Sequence, residues 1–174
     1  MNQARLTEIN EGILSFSKDA TVNTSYLDNE ITKGNIFSAI FSETFSGAGT
    51  TYYTLKATAG TYLLPLSAQC SAGTLTVTLY EDSDYAGGSE ISLLNRNRTS
   101  ANTATSVLKE DSTGTDKGTP IAVVVVGVQG RGTFLGGGGG SLAPYIITGD
   151  TYLIEVTASE ACEANLGIAV GEYS

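Results

Sequence analysis

The chain has 174 residues, which is enough for one domain with a substantial hydrophobic core, and 41% of them are hydrophobic. Its formal net charge is −9, from 9 Lys and Arg against 18 Asp and Glu, which argues against nucleic-acid binding because that needs clustered positive charge. The sequence contains no His, so Ser–His–Asp and Cys–His catalytic sites are excluded. No motif indicates a Ser–Lys or Cys–Lys site, although composition alone leaves one open. We therefore expect a protein that is not an enzyme, with no catalytic residue, metal or cofactor.

No membrane segment is predicted from the sequence. The N-terminus lacks the apolar stretch of a secretory signal. The longest nearly unbroken apolar run, Ile121–Val128, is far too short to cross a bilayer. We expect neither a membrane nor a nucleic acid as partner.

The first 33 residues differ in pattern from the rest, so we divide the chain into an arm at residues 1–33 and a domain at residues 34–174. Leu6, Ile9, Ile13 and Phe16 recur at helix-like spacing. Gly12 and two serines interrupt the pattern, so the arm could be extended or partly helical. One hypothesis is a poorly ordered tail. The other is an assembly arm, ordered on a neighbouring subunit that buries its apolar side chains, Tyr26 included.

From Ile36 onward the hydrophobic period is two, which is typical of strands. Turn signals separate about ten short segments with no helical pattern between them, which predicts an all-β sandwich or barrel. The predicted strands are Ile36–Phe45, Thr51–Ala57, Thr61–Leu66, Thr74–Tyr80, Ile91–Leu94, Ala104–Leu108, Ile121–Val128, Tyr145–Thr148, Tyr152–Thr157 and Leu166–Val170.

The segment Ile121–Val128 is the most hydrophobic in the chain and does not alternate. A strand of this kind normally has both faces covered, so we expect it to be a central strand. By contrast, Thr74–Tyr80 alternates threonine with Leu or Val, which indicates one buried and one wet face.

Arg96 and Arg98, in the run Asn95–Arg98, are the most specific polar feature. If the segment is extended, a spacing of two places both guanidinium groups on one side, where each could pair with a carboxylate. One alternative is an intramolecular pair, for example with Glu110, Glu155 or Glu172. The other is a contact with a neighbouring subunit.

Three further features each allow a structural and a functional interpretation. The acidic group of Glu81, Asp82, Asp84 and Glu90 lacks the EF-hand pattern, so solvated loop charge is favoured over a calcium site. The tract Gly136–Gly140 lacks the Lys and helix of a phosphate loop, so we expect a flexible loop or a packing contact between subunits. Cys70 and Cys162 are expected to be free and buried, although they could bridge if they lie on neighbouring strands.

Several segments resemble small virion proteins of tailed bacteriophages. These are the apolar strand that enters LLNRNRTS, the Thr/Ser/Asn-rich strand after it, the Gly-rich turn, the strand GDTYLIEVT and the ending GEYS. The resemblance covers about Gly87–Ser174. Proteins of that kind are capsid decoration, cement or head-fibre proteins.

The resemblance implies an antiparallel β-sandwich, jelly-roll-like and usually trimeric, with the major capsid protein and copies of itself as partners. It implies no catalytic residue. We expect a cement or decoration protein, made in the host cytoplasm and bound to the outer capsid surface of the virion. A head-fibre or tail-spike module that binds a receptor or glycan is the alternative, with tyrosines and the acidic loop at Glu81–Asp84 as its surface. The expected contact residues are Leu6, Ile9, Ile13, Phe16, Tyr26, Arg96 and Arg98.

Overall fold

A computed structural model describes residues 28–58, 60–64, 66–127, 132–134, 145–147 and 150–172. For residues 132–134 and 145–147 it describes the main chain. Within these ranges the chain forms a short helix, α1, at residues 28–33, and a series of strands. The strands are β1 Ile36–Phe45, β2 Gly49–Lys56, β3 Thr61–Leu63, β4 Leu66–Cys70, β5 Thr74–Glu81, β6 Ser89–Ile91, β7 Leu94–Asn95, β8 Val107–Glu110, β9 Thr119–Gly127, β10 Gly132–Phe134, β11 Tyr145–Ile147, β12 Thr151–Ala158 and β13 Cys162–Glu172.

The strands form two antiparallel sheets. One has seven strands, in the order β10-β4-β13-β1-β7, with β3 beside β13 and β11 beside β3. The other has six, in the order β6-β8-β2-β12-β5-β9. The four-strand sets β1-β13-β4-β10 and β2-β12-β5-β9 are the two sheets of a jelly roll. Along the chain these eight strands alternate between the sheets except at β5 and β9, which pair with each other, and early strands pair with late ones. The prediction of an all-β, jelly-roll-like antiparallel sandwich is confirmed.

The core lies between the two sheets and is formed by the alternate residues of each strand that face inward. The longest pairing runs from Ile36↔Gly171 to Phe45↔Cys162, which joins β1 to β13. Facing side chains interlock across the gap, as in the Phe41–Tyr53 ring pair with centroids 4.7 Å apart. Tyr53 is fully buried, and its hydroxyl donates a 2.7 Å hydrogen bond to the Glu43 carboxylate.

Two predicted strands are divided in the structure. The segment Thr61–Leu66 forms β3 and β4, which pair with different parts of β13. The segment Ile91–Leu94 contributes to β6 in the six-stranded sheet and to β7 in the seven-stranded sheet. The chain therefore crosses between the sheets inside a segment that reads as one apolar strand.

The prediction that Ile121–Val128 is a central strand is wrong. Its described part belongs to β9, which lies at the edge of the six-stranded sheet and pairs with β5 alone among the described strands. Val123 is 60% exposed and Val125 is 63% exposed, so the outer face of β9 is not covered. The apolar run reflects core contact on one face, at buried Val126, and exposed valines on the other.

Helix α1 leads directly into β1, and it ends at Gly34. The Gly34 N–H donates to the Ile31 carbonyl and the Asn35 N–H to the Glu30 carbonyl, both at 2.9 Å, which is the Schellman pattern. Gly34 has φ +77°, the left-handed conformation that this ending requires. Within the described residues, no helix is long and apolar enough to span a membrane.

Candidate contact surface at the β1–β7 edge

The segment Asn95–Arg98, here called the NRNR turn, follows β7 and holds the chain where α1 enters the sandwich. The Asn95 side-chain amide donates to the Gly34 carbonyl at 2.9 Å. The Asn97 amide donates to the Thr32 carbonyl at 2.8 Å. A third amide, from Asn102, donates to the same region of main chain. The asparagines thus fix the base of α1 to the edge of the seven-stranded sheet.

The turn itself is braced by short-range bonds from the same side chains. Asn95 Oδ1 accepts from the Asn97 N–H at 2.9 Å, and Asn97 Oδ1 accepts from both the N–H and the hydroxyl of Thr99. Such bonds are the usual reason for Asn in turns. These hydrogen bonds therefore fix the main chain of the turn that bears Arg96 and Arg98.

Arg96 and Arg98 are both exposed. The segment is not extended, because the main chain bends at Arg96 and turns at Arg98. The spacing of two therefore does not place both guanidinium groups on one side. Neither guanidinium forms an ion pair with a described residue; the described pairs are Lys33–Glu30 and Lys117–Glu155. Both arginines therefore remain free, within this part of the chain, to meet an outside carboxylate.

Two of the three carboxylates considered as intramolecular partners are engaged elsewhere. Glu155 binds Lys117. Glu172 accepts hydrogen bonds from the Thr105 N–H and hydroxyl and from the Ser106 N–H, at 2.7–2.8 Å. The described structure does not support the intramolecular alternative for these two partners.

An apolar pair lies on the outer face of the seven-stranded sheet, next to the NRNR turn. Ile40 is 85% exposed, and Leu94 is 53% exposed. Leu94 lies opposite Ser38, two residues from Ile40 on the same face, which places the two side chains diagonally across β1 and β7. The Arg96 N–H is bonded to the Ile36 carbonyl at 2.9 Å, so the arginines continue the same edge.

The surface beside Ile40 is flat. Its partner on β13 is Gly167, which has no side chain. A Cβ at Gly167 would meet the Ser67 hydroxyl, which would have to rotate away to make room. We call Ile40, Leu94, Arg96 and Arg98 the edge patch. It combines two exposed apolar side chains with two cations on an acidic protein.

Helix α1 contains a buried carboxylate, Glu30, whose hydrogen bonds join the helix to the residue that leads into β1. Its oxygens accept from Lys33 Nζ and Asn35 Nδ2, each at 2.8 Å. The hydrogen bond from Lys33 holds the pKa of Glu30 below its ordinary value, against the opposing effect of burial. Residues 28–33 are therefore held in place by the hydrogen bonds of Glu30 with Lys33 and Asn35.

A polar pocket of about 520 Å³ opens at the same end of the sandwich. Its wall is made mainly of Thr and Asn side chains, with Phe37 and Glu172 among the lining residues. Burial would raise the pKa of Glu172, but the hydrogen bonds from Thr105 and Ser106 outweigh it and leave the pKa below its ordinary value. This carboxylate therefore anchors the loop at residues 103–106.

The acidic loop at Glu81–Asp84 is hydrogen-bonded to the loop that contains Thr115 and Asp116. Asp84 accepts three hydrogen bonds, from the Thr115 N–H, the Thr115 hydroxyl and the Asp116 N–H. These bonds keep the pKa of Asp84 below its ordinary value. Asp82 adopts φ 59°, a left-handed turn conformation that Asp tolerates. The Asp84 carboxylate is thus used to join two loops.

Behind this loop, tyrosines and one ion pair cover the sheet. Lys117 Nζ binds the Glu155 carboxylate and lies 5.4 Å from the centre of the Tyr52 ring. Tyr52 in turn contacts Tyr85, with ring centroids 5.0 Å apart. The bond with Glu155 raises the pKa of Lys117.

Cys70 and Cys162 are buried free thiols, which agrees with the sequence prediction. Cys70 lies opposite Ala164, so Cys162 is its diagonal neighbour on β13. Burial raises the pKa of Cys162, which makes its thiol less reactive. Over the described ranges, no three His, Cys, Asp or Glu side chains are grouped so as to hold a metal ion.

Of the contact residues expected from the sequence, the structure describes Arg96 and Arg98. Leu6, Ile9, Ile13, Phe16 and Tyr26 lie outside the described residues. The sequence did single out Arg96 and Arg98, but not their apolar neighbours Ile40 and Leu94. Ile40 could have been found, because it breaks the outward polar alternation of Ser38 and Ser42 on β1.

Comparison with known proteins gives no assignment. No family model matches the sequence, and no curated protein matches it. Among solved structures, the chain is similar to the crystal structure of the Yersinia pseudotuberculosis-derived mitogen. The TM-score is 0.33 at 11% identity, over 79% of this chain and 86% of the mitogen.

Proposed function

We propose that this chain is a bacteriophage virion structural protein. Its role would be that of a capsid cement or decoration protein, which binds the outside of the head and bridges capsid subunits. The observation that carries the proposal is the edge patch, where 85% exposed Ile40 and 53% exposed Leu94 adjoin Arg96 and Arg98. The jelly-roll-like sandwich and the resemblance of LLNRNRTS to phage virion proteins support it.

The partner would be the major capsid protein. The two apolar side chains would be covered on binding, and the arginines would pair with its carboxylates. A protein that binds the assembled shell but not its dissociated subunits stabilises the shell by mass action. No chemical step is needed for this function. Self-association, as the trimer that the resemblance implies, would multiply the contacts with the shell.

Binding to empty heads of the encoding phage that lack this protein tests the proposal. The wild-type chain should sediment with the heads. Ile40→Asp with Leu94→Asp should weaken binding by about tenfold or more, because two apolar contacts become buried charges. The matched control is Thr50→Asp with Ser89→Asp, which adds two charges at exposed positions on the other sheet, away from β9, and should bind normally. Equal binding by the edge-patch variant, or no binding by the wild type, would refute the proposal.

The arginines can be tested separately through salt. Binding of the wild type should weaken as ionic strength rises, because exposed charges are screened. Arg96→Gln with Arg98→Gln should bind more weakly at low salt and respond less to added salt. A salt response identical to that of the wild type would remove the arginines from the interface.

The arm is the other proposed contact. Removing residues 1–27 leaves α1 and its Glu30 contacts in place, so the sandwich should still fold. Binding should fall if the apolar residues of the arm meet a neighbouring subunit. Undiminished occupancy of the heads by the truncated chain would remove the arm from the interface.

A receptor- or glycan-binding module is the second candidate, and the polar pocket favours it. A cavity of about 520 Å³ lined by Thr and Asn side chains can accept a hydroxyl-rich ligand. A glycan array with the full chain tests it, and Thr103→Tyr, which places a bulky ring at the pocket wall, should weaken any signal. Binding that this variant leaves unchanged, or no binding to any glycan, would rule out this site.

A further inference from the structure

Strand β9 lies at an edge of the six-stranded sheet. On one side it pairs with β5, from Thr74↔Gly127 to Glu81↔Thr119. On the other side no described strand pairs with it. Within the described part of the chain, the N–H and C=O groups on that side have no strand partner, and such groups can pair with a strand from another chain.

The protective features of β9 lie at its start, where Pro120 stands and the pairing with β5 shifts register between Pro120 and Ala122, so the stretch from Ala122 to Gly127 is open to such pairing. The run Thr119–Gly127 contains no charged residue, and its proline, Pro120, is at the start. Val123 and Val125 are 60% and 63% exposed. Natural edge strands are normally protected by charge, proline, bulges or short length. The edge strands β6 and β7 have three and two residues, so they have the last of these protections.

We propose that β9 pairs antiparallel with β9 of a second copy of this chain, about a two-fold axis at Val124. In this register Val123 of each copy lies opposite Val125 of the other. Each exposed valine then packs beside a valine of the other copy on the outer face, and the two six-stranded sheets become continuous. A two-fold contact is self-complementary, which one strand sequence can satisfy without a separate partner surface.

Strand β9 is better suited to contact with a second copy than the charged surfaces of the chain, because it carries no charge. Each copy carries a formal charge of −9, so contact through most of its surface brings like charges together. Strand β9 is an uncharged route to self-association. The inference is independent of shell binding, since it can hold or fail whether or not the chain binds a capsid. It leads to a dimer, whereas the resemblance to phage proteins implies a trimer.

Sedimentation equilibrium of the full chain over a range of concentrations tests the inference. The wild type should form dimers. Val123→Lys with Val125→Lys should raise the dissociation constant by about tenfold or more, since lysines then oppose each other across the pairing. The matched control, Ile40→Lys with Leu94→Lys on the other sheet, should dimerise like the wild type. Thermal unfolding checks that both variants fold, as expected for substitutions at exposed sites.

Cross-linking tests the register. A mixture of Val123→Cys and Val125→Cys chains should form a covalent dimer under mild oxidation, because these positions face each other. The Val123→Cys chain mixed with Thr50→Cys should not, since Thr50 is on β2, away from the β9 edge. Buried Cys70 and Cys162 should stay unreactive in the folded protein. A monomer at all concentrations, a trimer, or dimers indifferent to the lysines would overturn the inference.

Discussion

The side-chain amide of Asn97 donates a 2.8 Å hydrogen bond to the main-chain carbonyl of Thr32, across 65 positions of sequence. This bond joins the last turn of α1 to the NRNR turn. The Asn and Arg residues that alternate in the NRNR turn therefore have different roles. The asparagines hold the chain together, while the exposed arginines face solvent.

Substitution along the NRNR turn should separate these tasks. Asn97→Ala removes the bond to Thr32 and the acceptor for Thr99, so it should lower the free energy of unfolding by about 1–2 kcal/mol. Arg96→Ala and Arg98→Ala should change it by less than about 0.5 kcal/mol, because the side chains are exposed and unpaired among the described residues. Urea unfolding measures both. Arginine variants as unstable as Asn97→Ala would contradict this division.

Glu172 should make the stability depend on pH. Its pKa in the folded protein is below the ordinary value of 4.5, so the folded state binds fewer protons than the unfolded state. Its contribution is therefore fully present above pH 4.5 and is lost as the pH falls through the lowered pKa. Glu172→Gln should be less stable than the wild type at pH 7, and the difference should shrink below pH 4.5.

Unfolding by urea at a series of pH values follows this difference. Glu90→Gln, which changes an exposed carboxylate on β6, controls for the loss of one negative charge. A constant difference between the wild type and Glu172→Gln from pH 7 to acid would show that the hydrogen bonds to Thr105 and Ser106 do not require the charge.

Gly87 and Gly88 form a matched pair for backbone strain. Both have positive φ, +79° and +77°. A Cβ at Gly87 meets nothing within 4 Å, whereas a Cβ at Gly88 would lie 1.8 Å from the Glu110 carbonyl oxygen. Gly87→Ala should cost about 1 kcal/mol, from the left-handed conformation alone. Gly88→Ala should cost clearly more in thermal unfolding, since β8 must also move; equal costs would place the clash in doubt.

The Lys117–Glu155 pair should contribute modestly to stability. Both groups are partly exposed, so a double-mutant cycle with Lys117→Gln and Glu155→Gln should give a coupling of about 0.2–1 kcal/mol. The coupling should fall as salt is added. Lys117 also lies beside the Tyr52 ring, so Lys117→Gln should lose somewhat more than the coupling itself. A coupling well above this range would mean that the pair is more shielded from water than its exposure indicates.

The local sequence determined the strands and much of the fold class. The bounds of β1 agree with the prediction Ile36–Phe45, and β5 extends the predicted Thr74–Tyr80 by one residue. Alternation of apolar and polar residues is a local property, because one face of each strand must meet the core wherever its partners come from. The sequence also identified Arg96 and Arg98 as the unusual cations.

Only the tertiary structure decided which strand lies next to which. Ile36 pairs with Gly171, and no short-range pattern specifies a partner 135 positions away. The same limit explains the error at β9. A run of valines shows that a strand is apolar, but whether it is central or at an edge depends on the order of the sheet. The edge patch has the same origin, because Leu94 comes beside Ile40 through pairing of β7 with β1, far apart in sequence.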